Sequence, residues 1–190
     1  MRKERVGFAV CGSFCTHGAV LGALEELTKI YETVIPIVSE TTALTDTRFG
    51  RAEVLMEHLE ALTGQKILRD IAAVEPIGPK KLLDVLVIAP ATGNTMAKLA
   101  AGITDTAVTM AAKAHLRNGG PVVIAMASND GLAAGARNIG ELLVRKNYYF
   151  VPFGQDNAVQ KPCSLVADFA KLPETVEAAL QGRQIQPILL

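Results

Sequence analysis

Hydroxyl, carboxamide and glycine residues gather in three short stretches: Cys11-Gly12-Ser13-Phe14-Cys15-Thr16-His17-Gly18, Ser39-Glu40-Thr41-Thr42 and Pro90-Ala91-Thr92-Gly93-Asn94-Thr95. Such residues, with backbone N–H groups left open at helix starts, offer a concentration of hydrogen-bond donors that suits an anion, above all a phosphate. Each stretch follows directly on an apolar run, Val6 to Val10, Val34 to Val38 and Val85 to Ala89 respectively. Runs of this length read as buried strands, and Met96, Leu99 and Ala100 then recur at helical spacing, so the third stretch reads as strand, tight loop and helix start. Ligands of open α/β sheets sit outside the carboxyl ends of the strands, which points to a phosphate-bearing cofactor. The same residue types are also favoured helix caps, so a purely structural use of Thr92, Asn94 and Thr95 stands beside the binding one. The first stretch has neither the glycine spacing of a dinucleotide fingerprint nor the lysine of a P-loop, which disfavours ordinary dinucleotide and nucleoside triphosphate binding.

The elements that must carry these loops alternate along the chain. Helices are expected at Ala19 to Lys29, Thr47 to Leu62 with its stop at Gly64, Asp105 to Asn118, Leu132 to Lys146 and Leu172 to Gln181. Strands are expected at the apolar runs above, at Val122 to Ala127, and at Tyr148 to Pro152 as the last strand. Asp105 reads as the cap of its helix. Residues 65–81 are punctuated by Pro76, Gly78 and Pro79 and take no firm assignment; they either cross the sheet edge or form a subunit contact. Strands alternating with helices imply an α/β fold, a Rossmann-like doubly wound parallel sheet in three α/β/α layers, with residues 1–190 as one domain.

Composition narrows the partners. The 190 residues carry no formal net charge, so no nucleic-acid footprint is present, and the cluster Arg2, Lys3, Arg5 reads as a solvated terminus. No apolar stretch approaches the roughly 18 residues of a bilayer span, so no membrane is expected and a cytoplasmic setting fits. The three cysteines are odd in number and lack a zinc spacing. Cys11 reads as a small buried hydrophobe, Cys15 either faces the ligand or does not, and no metal site or nucleophilic triad emerges.

At these residues the chain resembles flavoproteins that hold FMN between an N-terminal Gly-Ser loop and a Pro-Ala-Ser-Ala-Asn-Thr loop followed by Gly-x-x-Asp. The counterparts here are Gly12-Ser13, Pro90 to Thr95, and Gly102-Ile103-Thr104-Asp105. The family includes phosphopantothenoylcysteine and peptidyl-cysteine decarboxylases and flavin prenyltransferases. The start Cys-Gly-Ser-Phe-Cys-Thr, the segment Asn147 to Asp156 and the run Lys161 to Ala167 resemble in particular its branch of bacterial dipicolinate synthase B subunits.

That resemblance implies FMN as cofactor, held by Gly12, Ser13, Ser39, Pro90, Ala91, Thr92, Gly93, Asn94 and Thr95, with Met126 and Ala127 brought toward the flavin ring. For that branch it implies oxidation of a dihydrodipicolinate-type intermediate during sporulation, with NADP on a partner, the A subunit. A homo-oligomer is implied as well, with the apolar tail Ile185 to Leu190 either a contact surface or a strand on its own core. A dicarboxylate substrate calls for cations, and His17, Arg48, Arg51, Ser128 and Asn129 are the candidate substrate-binding residues. No catalytic residue is assigned, and His58 and His115 read as a solvated-face and a structural histidine. Where the decarboxylases have Pro-x-Met-Asn, this chain has Ala125-Met126-Ala127-Ser128-Asn129-Asp130, so decarboxylase chemistry is not carried over. An FMN-dependent decarboxylase or prenyltransferase acting as a homo-oligomer is the alternative.

Overall fold

The computed structural model describes all 190 residues. The expected apolar runs become parallel strands: β1 (Arg2–Val10), β2 (Tyr31–Val38), β3 (Val85–Ala91), β4 (Val122–Ser128) and β5 (Tyr148–Phe150). They lie in the order β2-β1-β3-β4-β5. Every residue of β3 and of β4 is buried, the state of a strand covered on both faces, which is why these read as unbroken apolar runs rather than alternating ones. Neighbouring registers pair Phe8 with Val87 and Ile88 with Ile124.

Helices α1 (His17–Ile30) and α8 (Leu172–Leu180) pack on each other and against β3, while α6 (Ala107–Leu116) crosses β2, β3 and β4. Between them lie α2 (Glu40–Leu44), α3 (Ala52–Thr63), α4 (Ile71–Val74), α5 (Gly93–Ala101) and α7 (Ala136–Leu143). The strand order reverses between β1 and β3: one connection leaves β1 for β2, and the chain returns on the other side. At such a reversal the two following loops part and open a crevice, the place where open α/β sheets hold their ligands.

Several boundaries differ from expectation for identifiable reasons. The helix expected from Thr47 begins only at Ala52, because Thr47 and Gly50 exchange backbone hydrogen bonds of 3.0 and 3.1 Å and the Asp46 carboxylate accepts the Ala52 N–H at 2.8 Å. Gly50 closes this turn at φ 153°, a conformation that suits glycine. Asp105 is not a cap: Thr106 caps α6 through a capping box with Thr109, and Asp105 instead pairs with Lys98 at 2.8 Å. The helix expected from Leu132 starts at Ala136, after turns anchored on the Asp130 carbonyl.

The largest correction is beyond Pro152. Tyr148–Phe150 is not the last strand, for β6 (Phe153–Asn157) and β7 (Lys161–Ala167) form an antiparallel hairpin that joins the end of β4 through Ala127–Val166 and Ser128–Leu165. The otherwise parallel sheet is therefore extended by an antiparallel corner. Half of that hairpin is solvated and its tip turns on Asn157, whose side chain accepts the N–H groups of Val159 and Gln160, so no buried-strand pattern marks it. The tail adds to it as a strand would, with Leu189 bridging Phe153. Residues 65–81 cross the sheet edge: Leu68 bridges Ile37 of β2, and Val74 and Ile77 bury against α6. No helix is long and apolar enough to cross a membrane.

At the opposite end from the crevice, His115 is 2% exposed and its Nε2 lies 3.1 Å from the Pro121 carbonyl. Burial pushes its pKa down, against the smaller upward pulls of that carbonyl and of Asp84. Above roughly pH 6.5 the ring is neutral in folded and unfolded chains alike. Below it, the unfolded chain takes up the proton first and stability is lost. Urea midpoints are therefore expected to fall from about pH 7 to pH 5, and less steeply in His115→Phe; an equal slope in both chains contradicts this.

Candidate functional site

The loop after β1 is held in a conformation that costs energy. Ser13 lies at φ 67°, in the left-handed region, a cost of about 1 kcal/mol for a residue with a Cβ. Two bonds hold it there. Its Oγ donates to the Ala127 carbonyl at the end of β4 at 3.0 Å, and its own carbonyl accepts the N–H and hydroxyl of Thr16 at 2.9 and 2.8 Å. The first bond passes across the end of β3, tying the β1 loop to β4 over the crevice. Gly12, by contrast, faces nothing that forbids a side chain: a Cβ there would meet Thr92 only at 3.6 Å.

The other hydroxyls are used as caps. Ser39 caps α2, accepting the Thr42 N–H at 3.2 Å and sharing a proton with the Thr42 hydroxyl at 2.8 Å. Thr92 caps α5, accepting the Thr95 N–H at 3.1 Å and lying 3.0 Å from the Thr95 hydroxyl. The structural use of Thr92 and Thr95 is thus realised. What remains open to a ligand is backbone: the N–H groups of Gly12 and Ser13, which find no backbone acceptor, and those at the opening of α5, which have none within the helix.

These loops enclose a cleft of about 470 Å³ lined by Ser13, Cys15, Thr92, Gly93, Asn94, Ala127, Ser128, Asn129 and Asp130. Seven of the sixteen expected site residues line it: Ser13, Thr92, Gly93, Asn94, Ala127, Ser128 and Asn129. Pro90, Ala91 and Met126 lie behind its wall, Ala91 and Met126 fully buried and paired across β3 and β4. Thr95 is buried one turn into α5, and Gly12 and Ser39, which follow the ends of β1 and β2, do not line the cleft. Asp130 is the lining residue that sequence reasoning leaves out, although it follows directly on Ser128 and Asn129. Free N–H groups at two loops and a cleft walled by strand ends fit a phosphate ester that carries a planar ring.

A second chamber of about 370 Å³ adjoins the cleft and shares Cys15 with it. Its walls include Phe14, His17, Thr45, Thr47, Phe49, Arg51, Leu55 and His58. One face of α3 supplies Leu55 and His58 at helical spacing after Arg51, so His58 belongs to this chamber as well as to the solvated side of its helix. Arg51 ion-pairs with Glu53 at 2.7 Å in solvent. Arg48 stands apart, stacked on the Phe49 ring at 4.8 Å, and does not line the chamber. His17 places Nε2 2.9 Å from the Cys11 carbonyl, and burial lowers its pKa despite that bond. Near pH 7 it is thus a neutral hydrogen-bonding group.

The thiols fall on opposite sides of this boundary. Cys11, fully enclosed beneath Thr95, has its pKa pushed up to about 11 by burial, while Cys15 is exposed at the junction of the cavities.

The sequence profile of the flavoprotein family matches residues 1–144. The B subunit of dipicolinate synthase from Bacillus subtilis (strain 168) is 45% identical over 190 residues, covering 100% of this chain and 95% of that protein. The crystal structure of the corresponding B subunit from Bacillus halodurans C superposes with a TM-score of 0.90 at 46% identity, covering 98% of this chain and 96% of the other. The FMN-dependent cysteine decarboxylase SpaF gives a TM-score of 0.67 at 27% identity, over 93% of this chain and 97% of its own.

Alkylation of the native chain followed by mass spectrometry is expected to label Cys15 first and to leave Cys11 unlabelled until the chain unfolds, because the thiolate is the nucleophile. Labelling of Cys11 in the folded chain contradicts the enclosure described here.

Proposed function

The chain belongs to the flavoprotein family, and from that premise we propose that it is the B subunit of a dipicolinate synthase, oxidising a dihydrodipicolinate-type intermediate to pyridine-2,6-dicarboxylate together with an A subunit. The observation that carries this reading is the pair of joined cavities: a cleft rich in open N–H groups at the β1/β3 reversal, and beside it a chamber bearing Arg51, His17 and His58. The whole-chain likeness to two dipicolinate synthase B subunits supports it.

The proposal places FMN in the cleft, with its phosphate on the N–H groups of the Gly12-Ser13 loop and its ring toward α5 and the Ala127-Ser128-Asn129 end of β4. Bound there, FMN supplies an acceptor for the electron pair that leaves the substrate. The chain's own residues do the rest. The αL kink at Ser13 and the Thr92 cap keep donors in place before the ligand arrives, so little ordering cost falls on binding. Arg51 exchanges Glu53 for a substrate carboxylate, an exchange of one charge-assisted bond for another that costs little because Glu53 is itself solvated. Phe14 gives the chamber an apolar wall beside Cys15, and neutral His17 donates or accepts without adding charge. NADP on the A subunit would be the final acceptor, taking the pair on and restoring oxidised FMN, in keeping with the lack of a dinucleotide fingerprint here. The setting proposed is the cytoplasm of the mother cell during sporulation.

A second reading, an FMN-dependent decarboxylase or prenyltransferase, draws on the likeness to SpaF. The segment Met126-Ala127-Ser128-Asn129-Asp130 speaks against it, since the decarboxylases' Pro-x-Met-Asn arrangement is absent.

Mixing the chain with its A subunit, dihydrodipicolinate and NADP is expected to yield dipicolinate, and omission of either chain to abolish it. Full activity of the A subunit alone overturns the proposal. In the same assay Arg51→Ala is expected to raise KM about tenfold with kcat within a few-fold, the loss of roughly one charge-assisted bond. An unchanged KM removes Arg51 from the substrate site.

A further inference from the structure

Asp130 is the only formally charged side chain lining the cleft, and its position is built rather than incidental. Ser128, 7% exposed at the end of β4, donates to Asp130 Oδ1 at 2.5 Å. The Asp130 carbonyl accepts the N–H groups of Ala133 and Gly135 at 2.9 and 3.1 Å, which fixes the turn that carries it.

Glycines leave room for this unit. A Cβ on Gly93 would stand 2.7 Å from Ser128 Oγ and 2.8 Å from Asp130 Oδ1, closer than carbon tolerates, and one on Gly135 would stand 2.9 Å from the Asp130 carbonyl oxygen. Alanine is usual at the Gly93 position in the flavoproteins that the loop resembles. Here its absence makes space for a carboxylate against the start of α5. Asp130 also borders an outer depression with Arg137 but makes no ion pair with it, so the charge at the edge of the cleft has no cationic partner.

We infer that Asp130 sets the electron affinity of the molecule bound in the cleft: a carboxylate propped by Ser128, in the space Gly93 leaves, holds negative charge against a ligand that must accept electrons. The inference rests on the flavin reading above. Two-electron reduction adds electron density to the flavin, and a fixed anion lining the same cleft disfavours that addition. The oxidised cofactor is therefore bound more tightly than the reduced one. Asp130 itself forms and breaks no bond.

The test is the midpoint potential of FMN on the full chain, measured anaerobically by stepwise dithionite reduction against a reference dye. Asp130→Asn keeps the shape and the Ser128 contact and removes the charge. It is expected to favour reduced over oxidised FMN about tenfold, a rise of about 30 mV for a two-electron couple. Ser128→Ala, which releases the carboxylate, and Gly93→Ala, which pushes it aside, are expected to move the potential the same way by less, and they serve if Asp130→Asn does not fold. With FMN bound, a potential that stays unchanged or falls in these variants overturns the inference. A wild-type chain that takes up no FMN overturns the flavin reading first, and the inference with it.

Discussion

The burial of β3 and β4 on both faces is the constraint on which the rest of the molecule depends. No residue of Val85–Ala91 or Val122–Ser128 is more than marginally solvated. Two parallel strands so enclosed satisfy their backbone groups only through the ladder with their neighbours, so their register cannot slip without stranding buried amides. Their carboxyl ends are therefore fixed in space relative to β1. Everything that makes the cleft, the Ser13 bond to Ala127, the Thr92 cap and the Ser128–Asp130 pair, is anchored to one of those ends.

A second principle runs through the site: side-chain hydroxyls are spent on holding the loops, and backbone N–H groups are left open at the cleft. Ser13, Ser39, Thr92 and Thr95 all have protein partners. This resolves the ambiguity between capping and binding, because a cap satisfies one N–H of a helix start and so orients the remaining ones. Capping is thus compatible with binding. Negative charge is then added at one place only, by Asp130, on the same helix start that offers those N–H groups.

What is legible in the sequence is what burial writes into it. Val6 to Val10, Val34 to Val38, Val85 to Ala89 and Val122 to Ala127 are strands because both faces are covered, and a covered strand cannot hide its composition. The hairpin Phe153–Asn157 and Lys161–Ala167 is not legible, since one face is wet and its pairing partner Ser128 lies far off in the chain. Helix α3 starts late because Asp46 reaches Ala52 across a turn that no helical periodicity reveals. The loops that wall the cleft stand out as a group, since each follows an apolar run. Met126 and Ala91 are not separable from them by sequence, because alternation along a strand end decides which neighbour faces the cleft. Nothing local marks His58 and Asp130 as cavity residues, because each is defined by what lies opposite it, the β1 loop for one and Gly93 for the other.

Hydrogen exchange of the chain with and without FMN tests most directly the claim that the β1/β3 reversal is the ligand site. Slowed exchange is expected only in the loops at Gly12 to Thr16, Thr92 to Thr95 and Ser128 to Asp130, with the groove that Ala97 and Ala101 of α5 form with Arg137 and Glu141 of α7 unaffected. Protection centred on that groove, or none at these loops while FMN is bound, contradicts it.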